Sequence, residues 1–376
     1  MLQITERPTP AASIAAPLVS IVVPTLNERP NVHVVVEAVR RAMGSLPWEV
    51  IFVDDNSRDG TAEEAKQLAR DDGHVRCIRR IGRRGLASAG VEGFLASSAP
   101  YVALMDGDLQ HDESLLPLML DQLERGSDVV IASRYIIGGS SSGLANAERA
   151  MLSQWGGILA NRILRIRCSD AMSGFFMMRR EVFDRLAPRL STIGFKLLAD
   201  ILASANEPLS IAELPLLFRE RHAGDSKLDT GVKLDFLLLL LDKTLGRVAP
   251  VRFILFSLVG AMGLAVHLAI LTALHQIGHL EFAVAQDLAA AIAMTSNFLV
   301  NNSGTYRDRR LKGLRLVKGL LTFYFICAVG FVANVGIANA VFATGTNWLL
   351  AGIAGACVGA VWNFAASSEF TWKVTA

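Results

Sequence analysis

Two carboxylates stand two residues apart in Met105-Asp106-Gly107-Asp108-Leu109-Gln110-His111, directly after the apolar run Tyr101-Val102-Ala103-Leu104. The run reads as a buried strand, so Asp106 and Asp108 leave it on a loop where both can converge on one hard cation. Oxygen ligands beside a diphosphate are what Mg2+ or Mn2+ chemistry requires, and the neutral Gln110 can add a third oxygen. A solvated turn uses the same Asp-x-Asp pattern, so the pair takes its meaning from its context. His111 reads as a supporting or structural residue rather than a ligand.

The context is a series of polar strand ends. Leu18 to Pro24 is short and rich in β-branched residues, hence a buried strand, and Thr25-Leu26-Asn27-Glu28 is the polar loop after it. Asn31 is placed to cap a helix running to Met43. Glu49 to Val53 forms a second strand ending in Asp54-Asp55-Asn56-Ser57, and Asp59-Gly60-Thr61 turns into another helix. Alternating β and α predicts a mostly parallel sheet with helices on both faces, which binds ligands at the carboxyl ends of its strands. Pro24 to Glu28, Asp54-Asp55 and Asp106 to Gln110 all fall there. Asp, Asn and Ser are also good caps, and Asp54, Asn56 and Ser57 are read as capping or turn residues. Gly85-Leu86-Ala87-Ser88-Ala89-Gly90 lacks the Gly and Lys spacing of a phosphate loop, so close helix packing is expected there.

The elements behind this loop system are followed by something different. The 376 residues are 52% hydrophobic, too apolar for an ordinary soluble enzyme, and charge thins out past Val251. Four segments, about 251–274, 282–300, 320–342 and 348–366, reach the ~20 residues that cross a bilayer core. The loop from Asn301 to Gly319 holds Arg307, Arg309, Arg310, Lys312, Arg315 and Lys318, whereas His275 to Glu281 holds no Lys or Arg. That bias orients the amino-terminal domain, the basic loop and both termini toward the cytoplasm, in a multi-pass inner-membrane protein. Asn297-Phe298 with Thr305-Tyr306-Arg307 recurs 66 residues later as Asn363-Phe364 with Thr371-Trp372-Lys373, which reads either as two tandem hairpins or as shared interfacial composition. Gly355-x-x-x-Gly359 offers close helix contact within the chain or between copies of a homo-oligomer. Leu234 to Leu245 is too short to span and reads as an interfacial helix or a buried one. Met1 to Pro17 lacks the apolar core of a signal peptide and is expected to be a flexible tail. Cys77, Cys168, Cys327 and Cys357 have no metal spacing and are expected as thiols. A net charge of +2 without a basic-aromatic pattern gives no sign of a nucleic-acid partner. The expected division is a tail at 1–17, an α/β domain at 18–230, a juxtamembrane helix and linker at 231–250, and an all-α membrane domain at 251–376.

Taken together, Val23-Pro24-x-x-Asn27-Glu28, Val53-Asp54-Asp55-Asn56-Ser57-x-Asp59-Gly60-Thr61 and Asp106-x-Asp108-Leu109-Gln110-His111 resemble the family 2 glycosyltransferases with a GT-A fold. Ser133-Arg134-Tyr135, Asp170-Ala171-Met172-Ser173-Gly174-Phe175-Phe176 and Arg221-His222-Ala223-Gly224-Asp225-Ser226-Lys227-Leu228 make the polyprenyl (dolichyl) phosphate mannosyltransferases the most similar subgroup. The four-span tail resembles the GtrA-like membrane domain. The resemblance implies a nucleotide-sugar pocket of Pro24, Leu26, Glu28, Val53, Asp55, Asp106, Gly107 and Asp108. It implies Mg2+ or Mn2+ on Asp106, Asp108 and Gln110, and phosphate or acceptor contacts from Arg134, Ser173, Arg221 and Lys227. Asp106, Asp108 and Arg134 are the residues expected to carry catalysis. Leu26 stands where relatives often have an aromatic, and Ala171 where they often have Pro. The implied reaction transfers mannose from GDP-mannose to a polyprenyl or dolichyl phosphate with inversion. Two rivals are a glucosyltransferase using a UDP-sugar, and a lipid-linked sugar carrier with a regulatory soluble domain.

Overall fold

The computed structural model describes residues 16–82, 84–140, 168–191, 196–219, 243 and 249–373. The chain divides into two units, Met1–Thr244 and Leu245–Ala376. Arg221, Lys227 and, apart from Lys243, the segment from Leu234 to Leu245 lie outside the described residues.

In the first unit, β1 (Val19–Thr25) is buried at six of its seven positions. Helix α1 (Val32–Met43) buries Val32, Val35, Val36, Val39 and Met43, one stripe at helical spacing. Next come β2 (Trp48–Asp54), α2 (Thr61–Asp71), β3 (Val75–Arg79), α3 (Leu86–Ala96), β4 (Tyr101–Leu104), α4 (Leu115–Glu124) and β5 (Val129–Ser133). The last described elements of this unit are β6 (Phe176–Arg179), α5 (Arg180–Leu186), α6 (Leu197–Ser204) and β7 (Ile211–Pro215). The seven strands lie in the order β3-β2-β1-β4-β6-β5-β7. β6 runs antiparallel to both neighbours and every other pairing is parallel. This is the mostly parallel sheet the alternating pattern predicts, in the GT-A arrangement the family resemblance implies.

Successive β1 side chains feed opposite faces. Ile21 and Val23 join a core with α1 and α4, while Val22 joins one with Phe94, Phe183 and Leu197. Helix α3 sits hard on the sheet because it has no side chain at two contacts. A Cβ on Gly93 would lie 2.3 Å from Val22 Cγ1, and one on Gly90 would lie 2.7 Å from Leu197 Cδ2. Gly90 of the glycine-rich segment therefore serves packing, as expected.

The second unit contains α7 (Val251–Thr272), α8 (Phe282–Ser303), α9 (Leu314–Ala343) and α10 (Trp348–Ala366). All four are long and apolar enough to cross a membrane. Helix α9 begins six residues before its apolar run, because Arg315 and Lys318 propagate a helix as well as apolar residues do. The internal similarity has a packing counterpart. A Cβ on Gly263 would lie 2.2 Å from the Asn297 amide, and one on Gly330 2.1 Å from Asn363 Oδ1. Tyr306 and Trp372, 66 residues apart, stack at 4.2 Å between centroids and 4° between planes. Gly355 meets Asn334 of α9, where a Cβ would lie 2.4 Å from the carbonyl, so the small-residue pair serves a contact within the chain.

Candidate active site

The loops after β1 and β2 are stitched together. Asp55 N–H donates to Thr25 O at 2.9 Å, Asn27 N–H to Ser57 Oγ at 2.8 Å, and Glu28 N–H to the Thr61 hydroxyl at 2.9 Å. The Glu28 carboxylate accepts Asn31 Nδ2 at 2.8 Å. Asn31 is thus committed to Glu28, and α1 has no side-chain cap bond, contrary to the capping role expected of it. Asp54 accepts the Ser57 N–H at 2.9 Å and the Ser57 hydroxyl, which is the turn chemistry anticipated.

Asp55 is held differently. It accepts Arg80 Nη1 at 2.7 Å on one oxygen and Gly85 N–H at 2.7 Å on the other. Burial raises its pKa, and the Gly85 N–H and Arg80 charge oppose that shift. Arg80 is 2% exposed and also donates to Gly85 O and Ser88 Oγ. Nothing in the sequence singled out Arg80, because an arginine at a strand end usually reads as surface. Pro24 and Leu26 are half-buried at the same loop. The Val53 side chain is fully buried under α3, which leaves its backbone to face a ligand.

The loop after β4 places Asp106 and Asp108 as expected. The Asp106 side chain is 33% exposed, and Asp108 is buried with its Oδ1 accepting Gln110 N–H at 3.2 Å. Between them and Gln110, Leu109 adopts φ 63°, a left-handed conformation that a branched side chain holds only when its surroundings enforce it. Gln110 Nε2 donates to Arg219 O at 3.0 Å, which orients the amide. His111 accepts the Asp106 N–H on Nδ1 at 3.2 Å and stacks on Phe175 at 5.1 Å. Its Nε2 lies 3.6 Å from Asp106 Oδ2. Burial pushes the imidazole down to about 4, so it is neutral and braces Asp106 without adding charge.

This donor set fits a hard cation. Two carboxylates and an amide carbonyl are all oxygen donors, the chemistry a hard cation takes. The set is also incomplete, as suits a cation that completes its shell with substrate phosphates. Room is kept on one side by Gly174, where a Cβ would lie 2.7 Å from Asp106 Oδ2.

Beyond β5, Arg134 is paired in fork fashion with Asp170, Nε to Oδ2 at 2.7 Å and Nη2 to Oδ1 at 2.8 Å. Asp170 is fully buried, and its charge outweighs the desolvation of Arg134 and raises the guanidinium pKa. The Ser173 hydroxyl donates to Ala132 O at 2.8 Å and accepts Phe175 N–H at 3.1 Å, so it shapes the loop that carries it. Lys196, at the start of α6, was missed by sequence reasoning. Its Nζ donates to Met172 O at 2.9 Å, its one hydrogen bond among the described residues. An ammonium has three donors, so its Nζ has capacity for a ligand beyond that bond. Desolvation and the Arg134 charge push Lys196 down to about 8, against the pull of Asp106 and Asp170. A separate surface cleft of about 720 Å3, lined by Arg29, Asn56, Arg58, Glu63 and Arg79 among others, contains none of the expected site residues.

Comparison with known proteins bears on this geometry. The family described as Glycosyl transferase family 2 matches residues 20–187, and GtrA/DPMS, transmembrane domain, matches residues 255–372. A dolichol-phosphate mannosyltransferase of Pyrococcus furiosus is 31% identical over 359 residues, covering 94% of this chain and 99% of that protein. The Mycosarcoma maydis protein of the same name is 33% identical over 253 residues, 65% of this chain and 85% of its own length. Among solved structures, glucosyl-3-phosphoglycerate synthase from Mycobacterium tuberculosis, in complex with Mn2+, uridine diphosphate and glucosyl-3-phosphoglycerate, has a TM-score of 0.45 and 18% identity. That match covers 61% of this chain and 81% of the synthase. With both units matched in order and nearly the whole length aligned, this chain belongs to the dolichol-phosphate mannosyltransferases, membrane-bound family 2 glycosyltransferases that carry a GtrA/DPMS transmembrane domain.

Proposed function

We propose that this enzyme transfers mannose from GDP-mannose to a polyprenyl (dolichyl) phosphate and inverts the anomeric centre. The observation that carries the reading is the match to the Pyrococcus furiosus mannosyltransferase along 94% of the chain, through both units.

The acceptor phosphate is anionic at neutral pH and is already a nucleophile. One of its oxygens forms a bond to the anomeric carbon as the bond from that carbon to the donor diphosphate breaks. The electron pair leaves with the nucleoside diphosphate, and no proton has to be removed, so no general base is assigned. Mg2+ or Mn2+ on Asp106, Asp108 and Gln110 would neutralise charge on the departing diphosphate.

The chain's own groups bind and orient. Pro24, Leu26, Glu28 and Gly107 flank the nucleotide, with Asp55 held in place by Arg80 and Gly85. Lys196 directs its remaining N–H groups at a phosphate oxygen. Arg134, fixed by Asp170, contributes a charge whose position cannot drift. Arg221 and Lys227 are assigned the remaining phosphate contacts. The four spans keep the enzyme in the bilayer, into which the acceptor lipid partitions.

The test is transfer by the purified full-length protein in detergent, with Mn2+, a short polyprenyl phosphate, and either GDP-mannose or UDP-glucose. Transfer from GDP-mannose is expected, and Asp108→Ala should lower it by about 100-fold or more without changing the near-UV circular dichroism. Transfer from UDP-glucose alone would end the mannose reading. Full turnover by Asp108→Ala would remove the metal from the mechanism.

A further inference from the structure

The loop that carries the acidic pair is closed from outside by one arginine that follows β7. The backbone of Arg219 pairs with Gln110 in both directions. Arg219 N–H donates to Gln110 O at 2.9 Å, and Gln110 Nε2 donates to Arg219 O at 3.0 Å. The guanidinium then reaches over the same turn. Nη2 contacts Asp112 Oδ1 at 2.7 Å, and Nη1 contacts Glu113 Oε2 at 3.0 Å and His111 O at 3.5 Å. The Arg219 side chain is 49% exposed, so these ion pairs contribute little to global stability. What distinguishes the Arg219 contacts is their convergence: every one of these bonds falls on four consecutive residues, Gln110 to Glu113, beginning two positions after Asp108. Arg221, assigned a phosphate contact, follows two positions later in the sequence.

We propose that Arg219 is a positioning residue for the metal centre. It holds the Gln110–Glu113 turn and keeps the Gln110 amide in one orientation. The proposal rests on the reading of Asp106, Asp108 and Gln110 as cation ligands. Groups that orient metal ligands usually matter to affinity almost as much as the ligands themselves.

Two physical effects of removing Arg219 have opposite signs. Arg219→Ala leaves Asp112 and Glu113 without their cation, and the added negative field alone would tighten cation binding. Loss of positioning would loosen it. Mn2+ binding to the full-length protein in detergent, read from the free-Mn2+ electron paramagnetic resonance signal, separates the two. Arg219→Ala should weaken Mn2+ binding by about 10-fold. Arg219→Lys should weaken it too, because one ammonium cannot reproduce a fork that serves three acceptors. Amide exchange of residues 106–113 should quicken in both variants. Binding as tight as wild type or tighter overturns the proposal, and so does unchanged exchange in that segment. If Arg219→Ala does not fold, Arg219→Lys is read by the same criteria. Asp108→Ala separates the two layers. Should it bind Mn2+ like wild type, the metal reading itself fails and the proposal with it. Should it lose binding while Arg219→Ala keeps it, only the role of Arg219 falls.

Discussion

Among the described residues of the first unit, three non-glycine residues adopt a left-handed backbone, Asn27, Asn56 and Leu109, and they sit in the loops after β1, β2 and β4. Asn tolerates that region, whereas Leu109 costs about 1 kcal/mol or more, which the His111 and Arg219 contacts on its turn help offset. Strain of this kind, gathered at one end of a sheet, re-aims the acids that follow each strand. Lys196 gives the most direct prediction at this scale. Its folded pKa is about 8 against an ordinary 10.5, so its charge is present below that value and lost as pH rises through it. The KM for whichever phosphate substrate it touches should therefore rise above about pH 8. Lys196→Met should cost about 10-fold in kcat/KM, the worth of one charge-assisted hydrogen bond, and flatten that limb of the profile. Stability runs the other way. Between about 8 and 10.5 the unfolded chain binds more protons, so the fold gains stability with pH across that window. A pH series of initial rates for wild type and Lys196→Met checks the claim, and identical profiles would remove Lys196 from the site.

At the scale of elements, the sheet and its helices do two jobs, and α3 shows how tightly they are joined. Gly93 lies against Val22 and Val53, where a Cβ would come within 2.3 Å of one and 3.0 Å of the other. Gly85, just before α3, donates to Asp55. Gly93→Ala should destabilise the first unit by about 1–3 kcal/mol through overpacking, lowering its melting temperature, and should also raise the KM for nucleotide sugar. A variant with an unchanged melting temperature would show that α3 can lift away freely. The alternation of apolar and polar segments made β1, β2, β4, α1 and α2 legible before any coordinates, because local spacing reports directly on which face is buried. β6 inserts antiparallel between β4 and β5, and no local spacing encodes that, since strand order depends on contacts distant in sequence.

At the scale of the whole molecule, a catalytic unit and a membrane unit share one chain, and the membrane unit repeats its own anchoring. Asn297 packs against Gly263 and Asn363 against Gly330, and the repeat-related Tyr306 and Trp372 stack on each other. The basic loop at Arg307 to Lys318 sets the proposed orientation. In a cysteine-free background, Glu281→Cys should react with a membrane-impermeant maleimide in intact cells, and Lys312→Cys only after permeabilisation. The reverse pattern would place the catalytic unit on the opposite side of the membrane.

By itself the sequence determined the α/β character of the first unit, the four spans, and the acidic pair after β4, because each depends on residue type at short, regular spacing. It also carried the family likeness that assigns a chemistry. Tertiary structure alone decided the rest. Arg134 proved to be clasped by Asp170, Ser173 to be bound to its own loop, and Val53 to be buried beneath α3. Arg80, Lys196 and Arg219 emerged as neighbours of the site from positions that looked like ordinary surface. A side chain's partners lie across the fold, and the free energy of a charge depends on whether those partners or water surround it. No spacing along the chain contains that information.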